Sequence, residues 1–263
     1  TASVRCSPDG GIMQLTMPNE VMLANAAANL KRDLPMFLPH DEGEELCIVG
    51  GGPSLPSILP NLRMKYQRGA KIWALNGAHD WMLDHHLMPN AMVLLDARPE
   101  MAEFVARASR IPTYFIAAQC DPSVFDALNG RKAVMWVGYA PGIDAIAATA
   151  DKPVVVIGGG NTVGLKALCM AVLCKFRSVH LYGFDSCYSV SHHAYSQPLN
   201  DGEQTTEIGV FGRKFTCSNW MIKQAEDFQN DYINALSAGV KVTVHGDGLI
   251  PHIAKHIKEA LHV

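Results

Sequence analysis

The chain has 263 residues and a mass of 28.6 kDa, enough for one domain with a large core rather than two full-sized ones. Hydrophobic residues make up 48% and charged residues 18%, with a mean hydropathy of +0.06, which excludes wholesale disorder. The net charge of −3 and a pI near 6.4 supply no global attraction to nucleic acid or an anionic membrane, although a local basic groove is not excluded by a global balance. No apolar run approaches the roughly 18 residues of a membrane span and no basic-then-apolar leader opens the sequence, so a soluble cytoplasmic protein without membrane contact is expected. Seven scattered cysteines without a CxxC pair indicate neither a disulfide framework nor a zinc knuckle. Cys47, Cys169 and Cys174 sit in apolar runs and read as small buried hydrophobes.

In residues 19–31, Val21, Leu23, Ala26 and Leu30 fall at helical spacing, within a first segment, 1–40, read as a helical arm. The remaining segment, 41–263, reads as one α/β domain. Its first apolar run, 46–49, breaks into Gly50-Gly51-Gly52-Pro53-Ser54, the form of a buried strand leading through a glycine loop into a helix. Runs at 71–75 and 91–95 repeat the pattern and end in Asn76 and Asp96, with a short helix expected over 80–86 between them. Further strands are expected at 113–117, 133–137 and 153–157, the last entering a second glycine loop, Gly158-Gly159-Gly160-Asn161-Thr162. Residues 163–175 are apolar on all sides, a helix buried between layers, and the strand at 178–182 runs out at Gly183-Phe184-Asp185. Residues 186–217, rich in Ser, His, Gly and Asn, read as a long lid loop with a hairpin near 207–215. From a capping Ser218, a stripe of Met221, Ile222, Ala225, Phe228, Tyr232, Ile233 and Leu236 predicts a helix ending at Gly239. A strand at 240–244 and a terminal amphipathic helix opened by Pro251 complete the chain. The alternation predicts a Rossmann-like, mostly parallel sheet with helices on both faces and ligands at the C-terminal strand ends.

The first glycine loop lacks the spacing of a dinucleotide fingerprint, and no GxxxxGK[ST] is present, which disfavours an NAD site and a P-loop kinase. Two glycine loops, each between a strand and a helix, are nonetheless suited to close approach of a nucleotide, with Ser54, Asn161 or Thr162 capping a helix or donating outward. Asn76, Asp96 and Asp185 each stand where a strand ends, positions that project toward a common crevice. Asp96 and Asp185 can hold Mg²⁺, accept from ribose or base donors, or cap a helix, and Arg98 can present its planar fork to an anion. The histidine spacings form no zinc motif, His252 and His256 at i,i+4 included, and no metal site is predicted. His192 and His193 lie in the lid, where a near-neutral imidazole is suited to take a proton from an attacking hydroxyl.

The order of motifs, GGGPSL at 50–55, LNGAHDWML at 75–83, MPNAMVLLD at 88–96 and GGGNTVGLKALCMAVLCKFRSVHLYGFDSCY at 158–188, resembles the 6-hydroxymethylpterin diphosphokinase-like superfamily. That superfamily has members in archaea, bacteria and phages and includes the motility accessory factors linked to flagellin glycosylation. The pattern is also similar to bacterial CMP-sialic-acid-dependent sialyltransferases. The resemblance implies a donor nucleotide at Gly51, Gly52 and Ser54, lined by Asn76 and Asp96 and completed by Gly160, Asn161, Thr162 and Asp185. It implies His192 or His193 as general base, with Tyr188 and Tyr195 assisting the departing phosphate. The chain departs from the sialyltransferases at Gly51 and Asp96, where they carry asparagine, and from the archaeal pterin enzymes in having one carboxylate in Leu95-Asp96-Ala97-Arg98.

The leading expectation is therefore a nucleotide-dependent group transferase, most specifically a glycosyltransferase. It would take a CMP- or UDP-type nucleotide sugar as substrate, hold no tight cofactor and act on an acceptor hydroxyl. The alternatives are a Mg-ATP-dependent diphosphokinase acting on a hydroxymethyl group of a pterin-like or nucleobase-like acceptor, and a non-catalytic nucleotide-binding protein. Apolar-faced terminal segments are compatible with a homo-oligomer, and a phage-encoded chain would work in the host cytoplasm. A basic cleft built from Arg98, Arg213 and Lys214 would indicate an anionic acceptor.

Overall fold

The computed structural model describes residues 17–107, 113–128, 130–189, 193–195 and 203–261, so that Cys6, His192 and parts of the lid segment lie outside the described residues. Ten strands are described: β1 Glu45–Val49, β2 Lys71–Leu75, β3 Ala91–Leu94, β4 Thr113–Ala117, β5 Ala133–Gly138, β6 Val156–Ile157, β7 Ser178–Tyr182, β8 Thr205–Val210, β9 Arg213–Ser218 and β10 Lys241–Val244. Eight form a parallel sheet in the order β10-β7-β1-β2-β3-β4-β5-β6, while β8 and β9 make an antiparallel hairpin beside it. The helices are α1 Asn19–Asn29, α2 Leu55–Gln67, α3 Ala78–Asp84, α4 Ala102–Ala106, α5 Pro122–Ala127, α6 Ile143–Ala147, α7 Val163–Leu173, α8 Asn219–Ser237 and α9 Leu249–Leu261.

The strands read as unbroken apolar runs because both faces of the sheet are covered. Cys47 and Val49 of β1, with Ile72, Ala74 and Tyr182, pack under Leu55 and Leu62 of α2 and Met82 of α3. The alternate residues Leu46, Ile48, Trp73, Leu75 and Leu181 point the other way, into the larger core under α7 and α8. α7 supplies Leu165 and Leu168 to that core and α8 supplies Ile222 and Phe228. The sequence expectation of a single α/β domain with helices on both faces is met.

The N-terminal segment is tied to the sheet. The buried amide of Asn29 donates to Ala118 O at 3.0 Å and Cys120 O at 2.8 Å, and Asn25 donates to Gln119 O at 3.2 Å. Phe37 N and Met135 O, with Met135 N and Pro35 O, extend the pairing past β5. Two local expectations are corrected. α9 starts at Leu249, two residues before Pro251, and Ile233 faces outward at 42% exposure while Ala225, Phe228, Tyr232 and Ala235 are buried. Ile233 stands five residues past Phe228, about 140° around the helix from it. No helix among the described residues is long and apolar enough to cross a membrane.

The chain steps from β1 outward through β2 to β6 and then returns to the opposite side of β1 for β7 and β10. This reversal between β1 and β7 is a topological switch point, where the two connections leave a crevice outside the C-terminal strand ends.

Candidate functional site

A cleft of about 250 Å³ lies at that switch point, with the first glycine loop, Asn76, the start of α7, the loop after β7 and two residues of α8 around it. Its floor requires glycine. A Cβ on Gly50 would stand 2.9 Å from Gly183 O, and one on Gly183 would stand 2.7 Å from Gly50 O, so the ends of β1 and β7 approach backbone to backbone. Gly52 N donates to Gly183 O at 2.9 Å and Gly50 N to Tyr182 O at 2.8 Å, which fixes the loop.

Asp185 lies in this floor, 2% exposed, and its Oδ2 accepts from Ser54 N at 2.9 Å. A carboxylate is thus seated at the N-terminus of α2, where the helix presents its positive end. The first loop therefore commits the Gly52 and Ser54 N–H groups internally rather than holding them out to a ligand. Burial pushes the Asp185 carboxyl upward, against the lowering effect of Ser54. Its Oδ1 is buried, with the Ser54 hydroxyl beside it as a weak, poorly aligned donor. Asn76 Oδ1 is likewise buried without a partner, and Asn76 holds φ +47, a left-handed conformation. Ser186, at φ +48, is a second non-glycine residue held there in the cleft lining.

The opposite wall is the start of α7. Thr162 caps that helix, its Oγ1 accepting from Leu165 N at 3.4 Å, and Gly164 leaves room for Phe184, which a Cβ would meet at 2.6 Å. Gln224 of α8 ties the walls together, donating to Thr162 Oγ1 at 3.1 Å and accepting from Ser186 Oγ at 2.7 Å. Gln224 is not singled out by the sequence, and Met221 is read there only as part of the apolar stripe of the helix, not as a site residue.

Residues 193–195 lie against the first loop. Ala194 N donates to Gly51 O at 3.1 Å, and His193 Nδ1 lies 3.2 Å from the same oxygen. A carbonyl only accepts, so Nδ1 carries the proton of this contact. The Tyr195 ring lies against Gly51 and Gly77, the latter 2.9 Å from Cε2 when given a Cβ. Burial, reinforced by Asp80, pushes the Tyr195 hydroxyl well above its usual range, so it stays protonated and able to donate.

The remaining sequence candidates lie elsewhere. Tyr188 does not line this cleft: its N pairs with Thr216 O at 2.8 Å and its hydroxyl donates to Glu203 at 2.8 Å, with burial and Glu203 raising its pKa to about 12. Asp96 and Asn161 line a second, larger cleft on the far side of Thr162. Asp96 is gripped by the Arg98 guanidinium at 2.7–3.1 Å, and Gly160 N donates to Asp231 Oδ2 at 2.8 Å. Arg98, Arg213 and Lys214 do not pool their charge, since Arg213 pairs with Asp247 and Lys214 with Glu207. No group of three or more His, Cys, Asp or Glu side chains converges as a metal site among the described residues. Burial pushes the thiols of Cys47, Cys120, Cys169 and Cys217 up to about 12, away from nucleophilic use.

Among solved structures, the chain is similar to the MAf glycosyltransferase from Magnetospirillum magneticum AMB-1, with a TM-score of 0.65 and 16% identity over 95% of this chain. It spans 43% of that protein's length, and at this identity the likeness is one of fold. No curated protein matches the sequence significantly. The family described as 6-hydroxymethylpterin diphosphokinase MptE-like matches residues 20–191, which holds both glycine loops, Asn76, Asp96 and Asp185. The chain belongs to this MptE-like family.

Proposed function

We propose that the protein is a nucleotide-dependent group transferase that moves a glycosyl unit from a nucleotide sugar to an acceptor hydroxyl. The observation that carries the reading is a pair of buried acceptors in a glycine-floored cleft at the switch point, Asn76 Oδ1 without a partner and Asp185 Oδ1 with the Ser54 hydroxyl alone beside it. Buried acceptors left unmade are costly, and ribose, base or sugar donors would satisfy them. The donor's phosphate would face the start of α7, where Val163 and Gly164 line the cleft with N–H groups that precede the first helical bonds.

In the proposed step the acceptor oxygen forms a bond to the anomeric carbon as the bond from that carbon to the phosphate oxygen breaks. The electron pair leaves with the nucleotide phosphate, and the hydroxyl proton passes to an imidazole. His193, a lining residue of the cleft, would take that role, His192 being the second candidate. The protonated Tyr195 hydroxyl and the α7 N–H groups would meet the charge growing on the phosphate. Asp96 and Asp185, the two carboxylates a diphosphokinase reading would join through Mg²⁺, line different clefts, and Asp96 is already held by Arg98. This separation favours glycosyl over diphosphoryl transfer.

The test is thermal-shift and calorimetric titration with CMP, CDP, UDP, GDP, ADP and ATP, each with Mg²⁺ and with EDTA. Binding of a mono- or diphosphate nucleotide in EDTA is expected, weakened about tenfold in Asn76→Gly, which keeps the left-handed backbone and deletes the amide. Binding of ATP alone, and only with Mg²⁺, would replace the reading with diphosphoryl transfer. Absence of binding by any nucleotide would overturn it.

A further inference from the structure

The second cleft, of about 410 Å³, is within the size range of small-molecule sites and lies on the same edge of the sheet as the first. The first stands over β7, β1 and β2, the second over the ends of β3 and β5 and the loop after β6. β2 and β3 are hydrogen-bonded neighbours, so their ends are about 5 Å apart. The wall between the clefts is shared: Thr162 and Met221 line the first, while their chain neighbours Asn161 and Trp220 line the second.

The second cleft is preformed. Gln119, 2% exposed, locks Gly138 on its floor, accepting from Gly138 N at 3.2 Å and donating to Gly138 O, and is itself held by Asn25. Its ionic groups are each compensated. Asp96 carries Arg98 as a forked partner. Lys166, 2% exposed, donates to Ile157 O at 3.1 Å and Gly159 O at 3.2 Å and stands in the field of Asp231 and Asp227. What remains is aromatic surface and one open acceptor. Tyr139 is 54% exposed and Trp220 is the one tryptophan of four that is not buried. Asn19 donates from Nδ2 to Pro141 O at 3.0 Å, which fixes its amide, and leaves Oδ1 buried without a partner.

We propose that this second cleft binds the acceptor, and that the acceptor is an uncharged, hydroxyl-bearing ring with an apolar face, of the pyranose type. This rests on the transferase reading above for its role, though not for its binding chemistry. The aromatic faces of Tyr139 and Trp220 suit the C–H face of such a ring, and Asn19 Oδ1 accepts one of its hydroxyls. A net-neutral lining gives no attraction for a carboxylate or phosphate. The shared wall at residues 161–162 is where a ring hydroxyl would emerge toward a donor in the first cleft.

Trp220 reports directly on occupancy, since the other three tryptophans are at most 5% exposed. Tryptophan emission would be titrated with methyl glucoside, methyl galactoside and methyl N-acetylglucosaminide. N-acetylneuraminic acid and a Ser/Thr peptide would be run beside them, with and without the best nucleotide from the panel above. A saturable change with at least one neutral glycoside is expected, about tenfold weaker in Tyr139→Ala and without the emission change in Trp220→Phe. Nucleotide thermal shifts should be unchanged in both variants, which establishes that they fold and leave the first cleft intact. Preference for the anionic sugar or the peptide, or no response to any neutral glycoside while nucleotide still binds, would overturn the proposal. Loss of nucleotide binding in the unmodified protein with glycoside binding kept would instead overturn the transferase reading alone.

Discussion

At the scale of single residues, Asp185 is the group whose two tasks conflict. It caps α2 through Ser54 N and is buried in a floor where its charge is poorly solvated. Because burial raises its pKa in the folded chain, the native state holds its proton to higher pH than the unfolded one. Stability contributed by the protonated form is therefore lost as pH rises out of the ordinary carboxylate range. Asp185→Asn keeps an oxygen for Ser54 N and removes the charge, but places an NH₂ where the open acceptor was. The expected outcome is a melting temperature a few degrees above wild type at pH 7, a gap that closes near pH 4, and nucleotide binding weakened about tenfold. Differential scanning calorimetry at the two pH values, with the nucleotide titration, checks this; a variant less stable than wild type at pH 7 would contradict it. Gly52 beside it is less negotiable, since a Cβ there would meet Asp185 and stand 2.7 Å from Gly183 O.

At the scale of elements, α8 illustrates how a sequence pattern and a fold divide the work. Its buried face runs through Ile222, Ala225, Phe228, Tyr232 and Ala235, and Phe228 is fully enclosed. Phe228→Ala should cost about 3–5 kcal/mol and Ile233→Ala under about 0.5 kcal/mol by urea denaturation, the contrast being the check on which residues form the face. Equal losses would restore Ile233 to the stripe. Strands β1, β2, β4 and β7 were legible because each is an apolar run covered on both sides, and α7 because it is apolar all round. Helices α4, α5 and α6 were not, since five or six residues are too few to display a 3.6-residue period. Within the site, the glycine loops, Asn76 and Asp185 were legible from their place at strand ends. The division into two clefts was not, because it follows from strand order: β3 and β6 run out on one side of Thr162 and β1 and β7 on the other. Gln224 was hidden for the same reason, being 62 residues beyond the Thr162 hydroxyl to which it donates.

At the scale of the whole molecule, buried titratable groups cluster near the sheet edge opposite β6 and couple the fold to pH. His180 of β7 is 7% exposed, with Nδ1 2.9 Å from His245 Nε2 and Nε2 2.8 Å from Glu45 of β1. Lys65 of α2 donates to Glu45 at 2.7 Å, and His245 stacks on Tyr182 at 4.2 Å and 4° between planes. Lys241 and Lys258 add positive charge nearby. Burial, then the neighbouring His180 and Lys65, lowers His245 to about 4, and burial with Lys65 lowers His180. Burial alone would raise Glu45, but its bonds to Lys65 and His180 outweigh that and lower it. Both histidines are thus neutral in the fold, whereas the unfolded chain takes up protons near pH 6.5. Between about pH 6.5 and 4 the unfolded state binds more protons, so stability is full above that window and is lost as pH falls through it. His245→Phe keeps the stack on Tyr182 and removes one of the two titrating rings. Its melting temperature should start below wild type at pH 7.5, where His180 Nδ1 has lost its partner, and then fall less steeply from pH 6.5 to 4. Thermal melts at half-unit steps of pH decide the matter, because parallel curves for the two proteins would mean that acid unfolds the molecule through groups other than this strand-edge cluster.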